Sequence, residues 1–269
     1  MQKTIRKVLR VVADYDPDYY DMFADANEAF FAQLYLDPIV RHAEESGIRP
    51  PASLLEAGCQ AGRLVVPLAQ RGFDVTGIDT SGFALRRARE HAHAAGVKAV
   101  FLRGDLRKIL REPRARRYDI VVCAEVLYLS PHYREMLRVL AEAVRPGGIL
   151  CVSHRPRLYY LMEALKQGDI RSAAEVLRRA EGPFRDSAYY NWQTEDNLHE
   201  LYRSLGLQWV TAYPIDQLAW LSGVSPAQLN EAGRVDLRQM EQELSTPLAR
   251  YTLVVAARPA DEKIRCLSS

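Results

Sequence analysis

The sequence has few cysteines and no long apolar run. Its 269 residues include Cys59, Cys123, Cys151 and Cys266, and none of these four form a C-x-x-C pair. We therefore expect reduced cysteines that act as small core residues, as is typical of a cytoplasmic protein without a metal site. No apolar run approaches the roughly 20 residues of a membrane span, and the N-terminus lacks the apolar core of a signal peptide. The sequence thus predicts a cytoplasmic protein with no transmembrane segment.

Neither sign of charge dominates the composition. The chain has 36 Lys and Arg against 34 Asp and Glu, a net charge of +2, which makes nucleic acid an unlikely partner. Positive charge is concentrated in residues 103–117, RGDLRKILREPRARR. A solvated surface helix and loop is the first interpretation of this stretch, and a patch for RNA, an anionic lipid surface or an acidic partner is the second. Composition leaves an oligomer open.

Strands and helices alternate through the first part of the chain. Residues 17–46 have helical periodicity, with a break expected at Pro38. Beyond Pro50-Pro51, strands are predicted at 53–57, 73–79, 98–104, 118–124 and 149–154, and helices at 62–71, 81–95 and 131–144. This alternation predicts an α/β fold with a doubly wound parallel sheet that has helices on both faces.

The last part of the chain departs from this alternation. Residues 155–205 read as mainly helical, 207–215 as a strand, 225–245 as a polar helix and 250–259 as a final strand. Two strands so late in the chain suit an edge pair on the sheet. Because no internal repeat or linker is visible, we expect a single domain with helical additions.

The segment SLLEAGCQAGR ends an apolar strand and opens a helix. Its glycines allow backbone to approach a ligand closely, and the helix start offers free N–H groups. Gln60 occupies the place where a dinucleotide-binding loop needs glycine, which counts against NAD. Asp79 lies 21 residues after Gly58, at the position of an acid that accepts hydrogen bonds from ribose hydroxyls. Helix capping is the alternative for Asp79, although Thr80 or Ser81 can cap that helix.

Two later predicted strands also end in acidic residues. Asp105 can accept a hydrogen bond from an adenine amine or cap the next helix, and local sequence favours neither. Glu125 lies among apolar residues, where a buried carboxylate is costly unless it is paired or has a functional role. It faces the reactive end of a ligand, or it caps a helix or pairs with an arginine. Doubly wound sheets bind ligands at the carboxyl ends of their strands, which is where all these acids lie.

Five ordered segments carry a family resemblance: LLEAGCQAGR, VTGIDTS, FLRGDL, YDIVVCAEVLYLS and LAEAVRPGGILCVS. They cover about residues 52–155, and YTLVVAARP near the end also fits. The chain resembles the class I S-adenosylmethionine-dependent methyltransferases, in the small-molecule group that includes ubiquinone-biosynthesis enzymes. The resemblance implies a Rossmann-like sheet of seven strands with a reversed last strand. It also implies S-adenosylmethionine as the cofactor and S-adenosylhomocysteine as the product.

The resemblance implies roles for individual residues as well. The glycine loop contacts the methionine part of the cofactor, Asp79 holds the ribose and Asp105 holds adenine. The loop with Ala124 and Glu125 lies beside the reacting methyl group. The full set of implied cofactor-binding residues is Glu56, Gly58, Cys59, Gln60, Gly62, Asp79, Thr80, Asp105, Leu106, Ala124 and Glu125.

Two departures from the family pattern bear on mechanism. Most relatives have glycine at the position of Gln60, and many have a histidine at the position of Leu129, so the commonest candidate base is missing. A base is needed only for an acceptor that stays protonated at working pH. A structural role is the alternative for each remaining candidate: His154, which is the best placed, Glu125, Tyr128 and His132.

The acceptor pocket is expected from variable segments. We predict a helical lid at 1–50, a cofactor-binding core at 51–155, helical insertions at 155–205 and 216–246, and a final strand at 250–259. An acidic or aromatic acceptor would suit the substrate-side candidates Tyr19, Tyr20, Arg155 and Tyr159, with Arg157 and Tyr160 nearby. Tyr189, Tyr190 and Trp192 could form an apolar wall. Packing of the added helices is the alternative for these aromatics.

The expected function is methyl transfer from S-adenosylmethionine to oxygen, nitrogen or carbon of a small molecule, by in-line displacement. A non-catalytic S-adenosylmethionine-binding or scaffolding protein is the alternative, because of Gln60 and the absent histidine. The hypothesis of an RNA methyltransferase rests on residues 103–117 alone. The chain has AEVL after the fourth predicted strand, where an amino-methylating enzyme would have an N-P-P-[YF] motif. A nicotinamide dehydrogenase is disfavoured because Gln60 stands where a dinucleotide-binding loop needs glycine.

Overall fold

A seven-stranded sheet forms the centre of the protein. The structure is a computed structural model that describes residues 19–112, 115–184, 188–244 and 246–260. The strands are β1 Ser53–Ala57, β2 Asp74–Asp79, β3 Val100–Arg103, β4 Tyr118–Cys123, β5 Val144–His154, β6 Glu181–Phe184, β7 Ala188–Asn191, β8 Gln208–Ile215 and β9 Tyr251–Ala257. The large sheet has the order β3-β2-β1-β4-β5-β9-β8, and β9 is antiparallel to both neighbours. The predicted doubly wound sheet with a reversed last strand is confirmed.

Helices cover both faces of this sheet. They are α1 Ala26–Glu45, α2 Val65–Gln70, α3 Gly82–Ala94, α4 Leu106–Ile109, α5 Tyr133–Ala143, α6 Arg157–Lys166, α7 Ile170–Arg178, α8 Glu195–Ser204, α9 Leu218–Ser222 and α10 Glu231–Glu243, with 3₁₀ turns at Leu127–Leu129 and Pro226–Gln228. Neighbouring strand residues alternate between two apolar clusters, with Leu54 and Val122 on one face and Leu55 and Val121 on the other. Burial on both faces explains why these strands are continuously apolar.

The structure decides two local predictions about helices, one on the cap of α3 and one on a break within α1. Ser81 caps α3, since its hydroxyl accepts a hydrogen bond from the Ala84 N–H at 3.1 Å. The break expected at Pro38 is wrong, because α1 continues through Pro38 to Glu45. Pro38 is buried in the contact of α1 with the sheet, and the packing of this long apolar face outweighs the hydrogen bond that a proline removes.

The segment between β5 and β8 is less helical than expected. It is mainly helical, with α6, α7 and α8, but it also contains an antiparallel hairpin of β6 and β7 that the sequence analysis did not predict. Trp192 follows this hairpin and is 1% exposed in a small apolar cluster with Tyr160 and Phe184. Its indole nitrogen donates hydrogen bonds to carbonyls of Val176 and Arg179. Packing therefore accounts for Trp192, as the alternative interpretation held.

The basic stretch at 103–117 lies on the surface. Arg107 and Arg111 pair with Glu135, and Arg116 pairs with Asp74 at 2.6 Å. These contacts support the solvated interpretation, and binding of nucleic acid to this stretch stays untested. No helix in the described part of the chain is both long enough and apolar enough to cross a membrane.

Three cysteines lie where the sequence predicted them. Cys59, Cys123 and Cys151 are buried and free, and Cys266 lies outside the described residues. Burial raises the pKa of the Cys123 and Cys151 thiols, so both stay protonated.

A buried carboxylate joins the two helices of the insertion before β9. Glu241 of α10 is 3% exposed. Its carboxylate accepts backbone hydrogen bonds from Gln217 and Leu218 at 2.8 Å and from Ala219 at 3.3 Å. It thereby satisfies the free N–H groups at the start of α9. This contact fixes the position of α9, whose Trp220 lies at the carboxyl edge of the sheet.

We expect Glu241→Ala to lower the free energy of unfolding by about 3 kcal/mol, because three backbone N–H groups lose their acceptor. Urea denaturation of the full chain measures this change. The control is Glu243→Ala on the same helix, where the side chain is exposed and accepts only from Gln239. It should stay within about 0.5 kcal/mol of the wild type. Equal effects of the two substitutions would contradict the capping role.

Candidate active site

A cavity of about 410 Å³ opens at the carboxyl ends of the central strands. Its volume lies in the range of small-molecule and cofactor sites. The residues that line it include ten of the eleven predicted cofactor-binding residues: Glu56, Gly58, Cys59, Gln60, Asp79, Thr80, Asp105, Leu106, Ala124 and Glu125. Gly62 is the exception, and it turns the loop behind the cavity with φ +87°. The structure thus brings together residues that the sequence spreads over four strand ends.

Asp79 holds the loop after β1 in shape. One carboxylate oxygen accepts from the Gln60 N–H at 2.9 Å, and the other accepts from the Ser81 N–H at 2.8 Å. Gly58 donates its N–H to the Ile78 carbonyl at 2.7 Å. Its φ is +84°, and a Cβ there would collide with Val126. Only glycine therefore allows the loops after β1 and β4 to approach this closely.

The side chain of Gln60 binds the protein itself. Its amide nitrogen donates to the Tyr20 carbonyl at 2.8 Å, and its amide oxygen accepts from the Met22 N–H at 3.3 Å. Gln60 has φ +44°, which a glycine would adopt at lower cost. The residue that departs from the glycine pattern thus fastens the segment before α1 to the loop after β1.

Further contacts hold this segment, residues 19–24, over the cavity edge. Asp21 accepts a hydrogen bond from Arg87 of α3 at 3.2 Å. Phe23 stacks on His91 with ring centroids 4.1 Å apart. Met22 lines the cavity. Residues 19–24 are therefore held against the loop after β1 and against α3, with Met22 in the cavity wall, and the lid stays a prediction.

Arg63 is a site residue that the sequence analysis missed. It is 8% exposed and lies between two carboxylates, pairing with Glu28 of α1 through Nη1 and with Glu125 through Nη2 at 2.6 Å. Glu125 has φ +61°, and its N–H donates to the Ser153 hydroxyl at 2.6 Å. Burial raises the pKa of the Glu125 carboxyl, but Arg63 outweighs burial and the pKa lies below its ordinary value. Glu125 is therefore ionised.

Glu56 has an unsatisfied atom in the cavity wall. Its Oε2 is buried without a hydrogen-bond partner among the described residues. Burial raises the pKa of Glu56 to about 8, so its carboxyl is protonated at neutral pH. A buried acceptor with no partner at a cavity surface fits a ligand that carries a hydrogen-bond donor.

Asp105 both caps a helix and lines the cavity. Its Oδ1 accepts from the Arg107 N–H at 2.9 Å at the start of α4. The Arg107 guanidinium also binds this carboxylate, with Nη2 2.6 Å from Oδ2. This hydrogen bond lowers the pKa of Asp105. Arg107 therefore engages both oxygens of Asp105, through its backbone N–H, Nε and Nη2. The structure supports the capping interpretation, and Asp105 also lines the cavity.

The predicted bases lack the environment of a general base. His154 is 3% exposed, lies outside the cavity lining and contacts the Tyr202 hydroxyl through Nε2 at 2.9 Å. Burial lowers its pKa to about 3. Burial also raises the pKa of Tyr128, so its hydroxyl stays protonated. Glu125 is ionised, but its carboxylate is paired with Arg63. The structure brings Glu125 alone of these three to the cavity.

A second cavity of about 390 Å³ lies at the same edge of the sheet. Glu28 lines it and also binds Arg63, which lines the first cavity, so this ion pair forms the wall between the two. Its other lining residues include Tyr20, Phe31, Trp220, Asp216 and Arg250. Of the predicted acceptor residues, Tyr20 lines this cavity, and Tyr19 packs edge to face on Phe83 at 4.8 Å.

The sequence of the core matches known methyltransferases. Residues 54–148 match the profile of the methyltransferase domain family. Relatives include ubiquinone biosynthesis O-methyltransferases from Bordetella avium, 39% identical over 95 residues, and from Marinobacter nauticus, 36% identical over 100 residues. The matches cover 35% and 37% of this chain and 39% and 42% of those relatives. The chain thus spans about two fifths of the length of the curated relatives it matches.

Similarity to solved structures extends over more of the chain. The magnesium protoporphyrin IX methyltransferase from Synechocystis PCC 6803 with bound S-adenosylhomocysteine has a TM-score of 0.61 at 18% identity, covering 96% of this chain and all of that one (100%). A methyltransferase from Methanosarcina mazei has a TM-score of 0.58 at 17% identity, covering 83% and 98%. At these identities the likeness shows the fold. Residues 54–148 are thus similar in sequence to the methyltransferase domain family, and the chain as a whole shares the fold of these solved methyltransferases.

We expect Gln60→Ala to speed hydrogen exchange of backbone amides in residues 19–25 about tenfold, because two hydrogen bonds to this segment are lost. Hydrogen–deuterium exchange with mass spectrometry of the full chain measures the change. Gln239→Ala removes an exposed glutamine whose amide bonds only Glu243, and it serves as the control. Unchanged exchange in 19–25 would contradict the role assigned to Gln60.

Proposed function

We propose that the chain transfers a methyl group from S-adenosylmethionine to a small-molecule acceptor. The observation that carries this proposal is the cavity of about 410 Å³, where ten predicted cofactor residues from four strand ends form one surface. When bound, S-adenosylmethionine would supply a methyl group activated by its sulfonium, and S-adenosylhomocysteine would be the leaving group as the acceptor bonds to the methyl carbon and the carbon–sulfur bond breaks. The chain supplies position, exclusion of water and a fitting electrostatic field.

The residues present fit this cofactor. The unpartnered Oε2 of Glu56 suits the ammonium of the methionine part, and Gly58 lines the same cavity. Asp79 keeps lone pairs for ribose hydroxyls while it holds the loop. Asp105 lines the adenine end of the proposed site, where Arg107 would have to share its carboxylate with the adenine amine. Ala124 and Glu125 complete the wall toward the reacting end.

Charge also fits the cofactor. Two carboxylates, Glu28 and Glu125, face the single guanidinium of Arg63. Arg63 keeps the pKa of Glu125 below its ordinary value, whereas burial raises the pKa of Glu28. Asp79 adds another carboxylate to the cavity wall. S-adenosylmethionine has a net charge of +1 from its ammonium, sulfonium and carboxylate groups, whereas the product lacks the sulfonium charge. The site therefore favours cofactor over product through Coulomb attraction.

The second cavity is the proposed acceptor site. It adjoins the cofactor cavity across the Glu28–Arg63 pair and has aromatic walls from Tyr20, Phe31 and Trp220. Burial raises the pKa of Glu56 to about 8 at the first cavity, where its proposed part is in cofactor binding. Burial also raises the pKa of Asp216 to about 6 at the second cavity, but this carboxyl pairs with Arg250 at 3.3 Å. We infer that transfer depends on positioning, with an acceptor that is deprotonated or nucleophilic as bound.

We expect Asp79→Ala to weaken binding of S-adenosylmethionine by about 10-fold to 100-fold, because a charged acceptor of hydrogen bonds is removed. Isothermal titration calorimetry measures the dissociation constant. Asp74→Ala on the same strand is the control, since Asp74 is exposed and pairs only with Arg116. No binding to the wild type, or equal affinity of Asp79→Ala, would refute the proposed cofactor site.

Turnover separates catalysis from binding alone. Labelled S-adenosylmethionine is incubated with the protein and a metabolite extract, and methylated products are identified by mass spectrometry. Transfer to any metabolite, lost in Asp79→Ala, supports an enzyme. Tight cofactor binding without transfer would favour the scaffolding alternative.

Cofactor binding should release a proton from Glu56. The free protein holds the Glu56 pKa at about 8 through burial, and an ammonium at Oε2 favours the carboxylate, so the pKa falls on binding. Between the two pKa values the free protein binds more protons than the complex. Affinity should therefore rise with pH up to about 7.5, above which the ligand's own amino group titrates.

Calorimetry in buffers of different ionisation enthalpy measures the protons released. Glu56→Gln is the control, since it retains the size of the side chain and cannot release a proton. Absence of proton release in the wild type near neutral pH would contradict the contact between Glu56 and the ammonium.

A further inference from the structure

Arg155 follows β5 and is surrounded by tyrosine rings. Its Cζ lies 4.2 Å from the ring centroid of Tyr128, 4.5 Å from that of Tyr159 and 4.4 Å from that of Tyr251. One terminal nitrogen donates a hydrogen bond to the Tyr251 hydroxyl. Its Nε is buried and has no hydrogen-bond partner among the described residues. We call Arg155 and these three rings the Arg155 enclosure.

Arg155 has no ion-pair partner in the described part of the chain, and the negative charge of Glu125 acts on its rings, where Glu125 interacts with Tyr128 and Tyr251. Arg63 pairs with two carboxylates and Arg250 pairs with Asp216 at 3.3 Å, but no aspartate or glutamate lies within ion-pair distance of Arg155. Arg250 adds a second positive charge close enough to interact unfavourably with Arg155. Tyrosine rings attract a guanidinium that lies over their faces. They neither neutralise its charge nor accept the Nε–H bond.

The start of α6 adds to the positive field. This helix begins at Arg157 with Pro156 at its N-cap, and no side chain caps its first turn. The helix dipole and the free N–H groups of a first turn both favour an anion. Arg157 has a buried Nε without a partner in the described residues as well. Three independent features within three residues therefore favour negative charge.

The enclosure lies beside both cavities. Tyr128 follows the loop that places Glu125 in the cofactor cavity. Tyr159 packs on Trp220 with ring centroids 5.2 Å apart, and Trp220 lines the second cavity together with Arg250. A group bound to Arg155 would therefore belong to a molecule that reaches the acceptor region.

We propose that the Arg155 enclosure binds an anionic group, a carboxylate or a phosphate, on the acceptor molecule. The role of this molecule as the methyl acceptor rests on the proposed methyl transfer, whereas anion binding by the enclosure does not depend on it. The planar guanidinium offers parallel N–H donors to a carboxylate or phosphate. The rings fix its plane, so that little side-chain entropy is lost when the anion binds. An acceptor without negative charge would leave the charge of Arg155 uncompensated.

Thermal unfolding of the full chain tests this proposal. The probes are sodium benzoate, its neutral analogue benzamide, and phenyl phosphate, each against sodium chloride at equal ionic strength. The variants are Arg155→Met, Arg155→Lys and the control Arg258→Met, where Arg258 is also partly buried but donates to the carbonyls of Ala141, Glu142 and Val144.

We expect the unfolding temperature of the wild type to be at least about 3 °C higher with benzoate or phenyl phosphate than with benzamide. Arg155→Met should lose this increment, Arg155→Lys should lose at least half of it, and Arg258→Met should retain it. A response to benzoate alone assigns a carboxylate, and a response to phenyl phosphate alone assigns a phosphate. Equal effects of benzoate, phenyl phosphate and benzamide on the wild type would overturn the proposal, as would an increment that survives in Arg155→Met.

Stability in chloride alone gives a second readout. Arg155→Met should unfold at the temperature of the wild type or above it, because an uncompensated charge is replaced by an apolar side chain. A fall of about 5 °C or more would show that Arg155 is a structural cation and would overturn the proposal. Arg155→Lys keeps the positive charge, and we expect it to fold. If Arg155→Met does not fold, Arg155→Lys alone is used for the anion test.

Calorimetry with S-adenosylmethionine on the same proteins separates the two proposals. Cofactor binding without an anion increment defeats the anion site alone. An anion increment without cofactor binding defeats the proposed methyl transfer alone. Arg155→Met should bind the cofactor as tightly as the wild type does.

Discussion

The buried set of Glu28, Arg63 and Glu125 is the constraint on which the site depends. Arg63 binds a carboxylate of α1 through one terminal nitrogen and a carboxylate of the loop after β4 through the other. Three chain segments, far apart in sequence, are thus joined at one guanidinium. Removing one partner of such a buried pair costs about 3–5 kcal/mol, because a charge is left uncompensated. Glu125 can keep its positive φ only while these contacts and the Ser153 hydroxyl hold it.

The same ion pairs separate the two cavities. Glu28 faces the proposed acceptor side and Arg63 faces the cofactor side. A wall made of charged groups that are already paired needs no rearrangement when a cationic methyl donor is present on one side. The packing of α1 against the sheet brings Glu28 to Arg63, so the proposed preference for a positively charged cofactor depends on that packing.

The sequence predicted the sheet and the cofactor side because both have local signals. Apolar strands, a glycine loop and acids at strand ends all lie within a few residues of one another. The hairpin of β6 and β7 was missed, since its strands are short and are stabilised by packing with Tyr160 and Trp192. Arg63 was missed because its partners lie 35 and 62 residues away in the chain. Gln60 could be recognised as a departure from glycine, but its contacts with Tyr20 and Met22 depend on how residues 19–24 lie in the fold.

The acceptor side is built from segments outside the family match, which ends at residue 148. Arg155 and Tyr159 come from the addition after β5, Trp220 from the one before β9, and Tyr251 from the start of β9. Relatives that align only with the core therefore constrain the cofactor and leave the acceptor open. The physical signal on this side is a charge without a partner among tyrosine rings. Because burying an uncompensated charge is costly in the free protein, its presence is best explained by a ligand that compensates it.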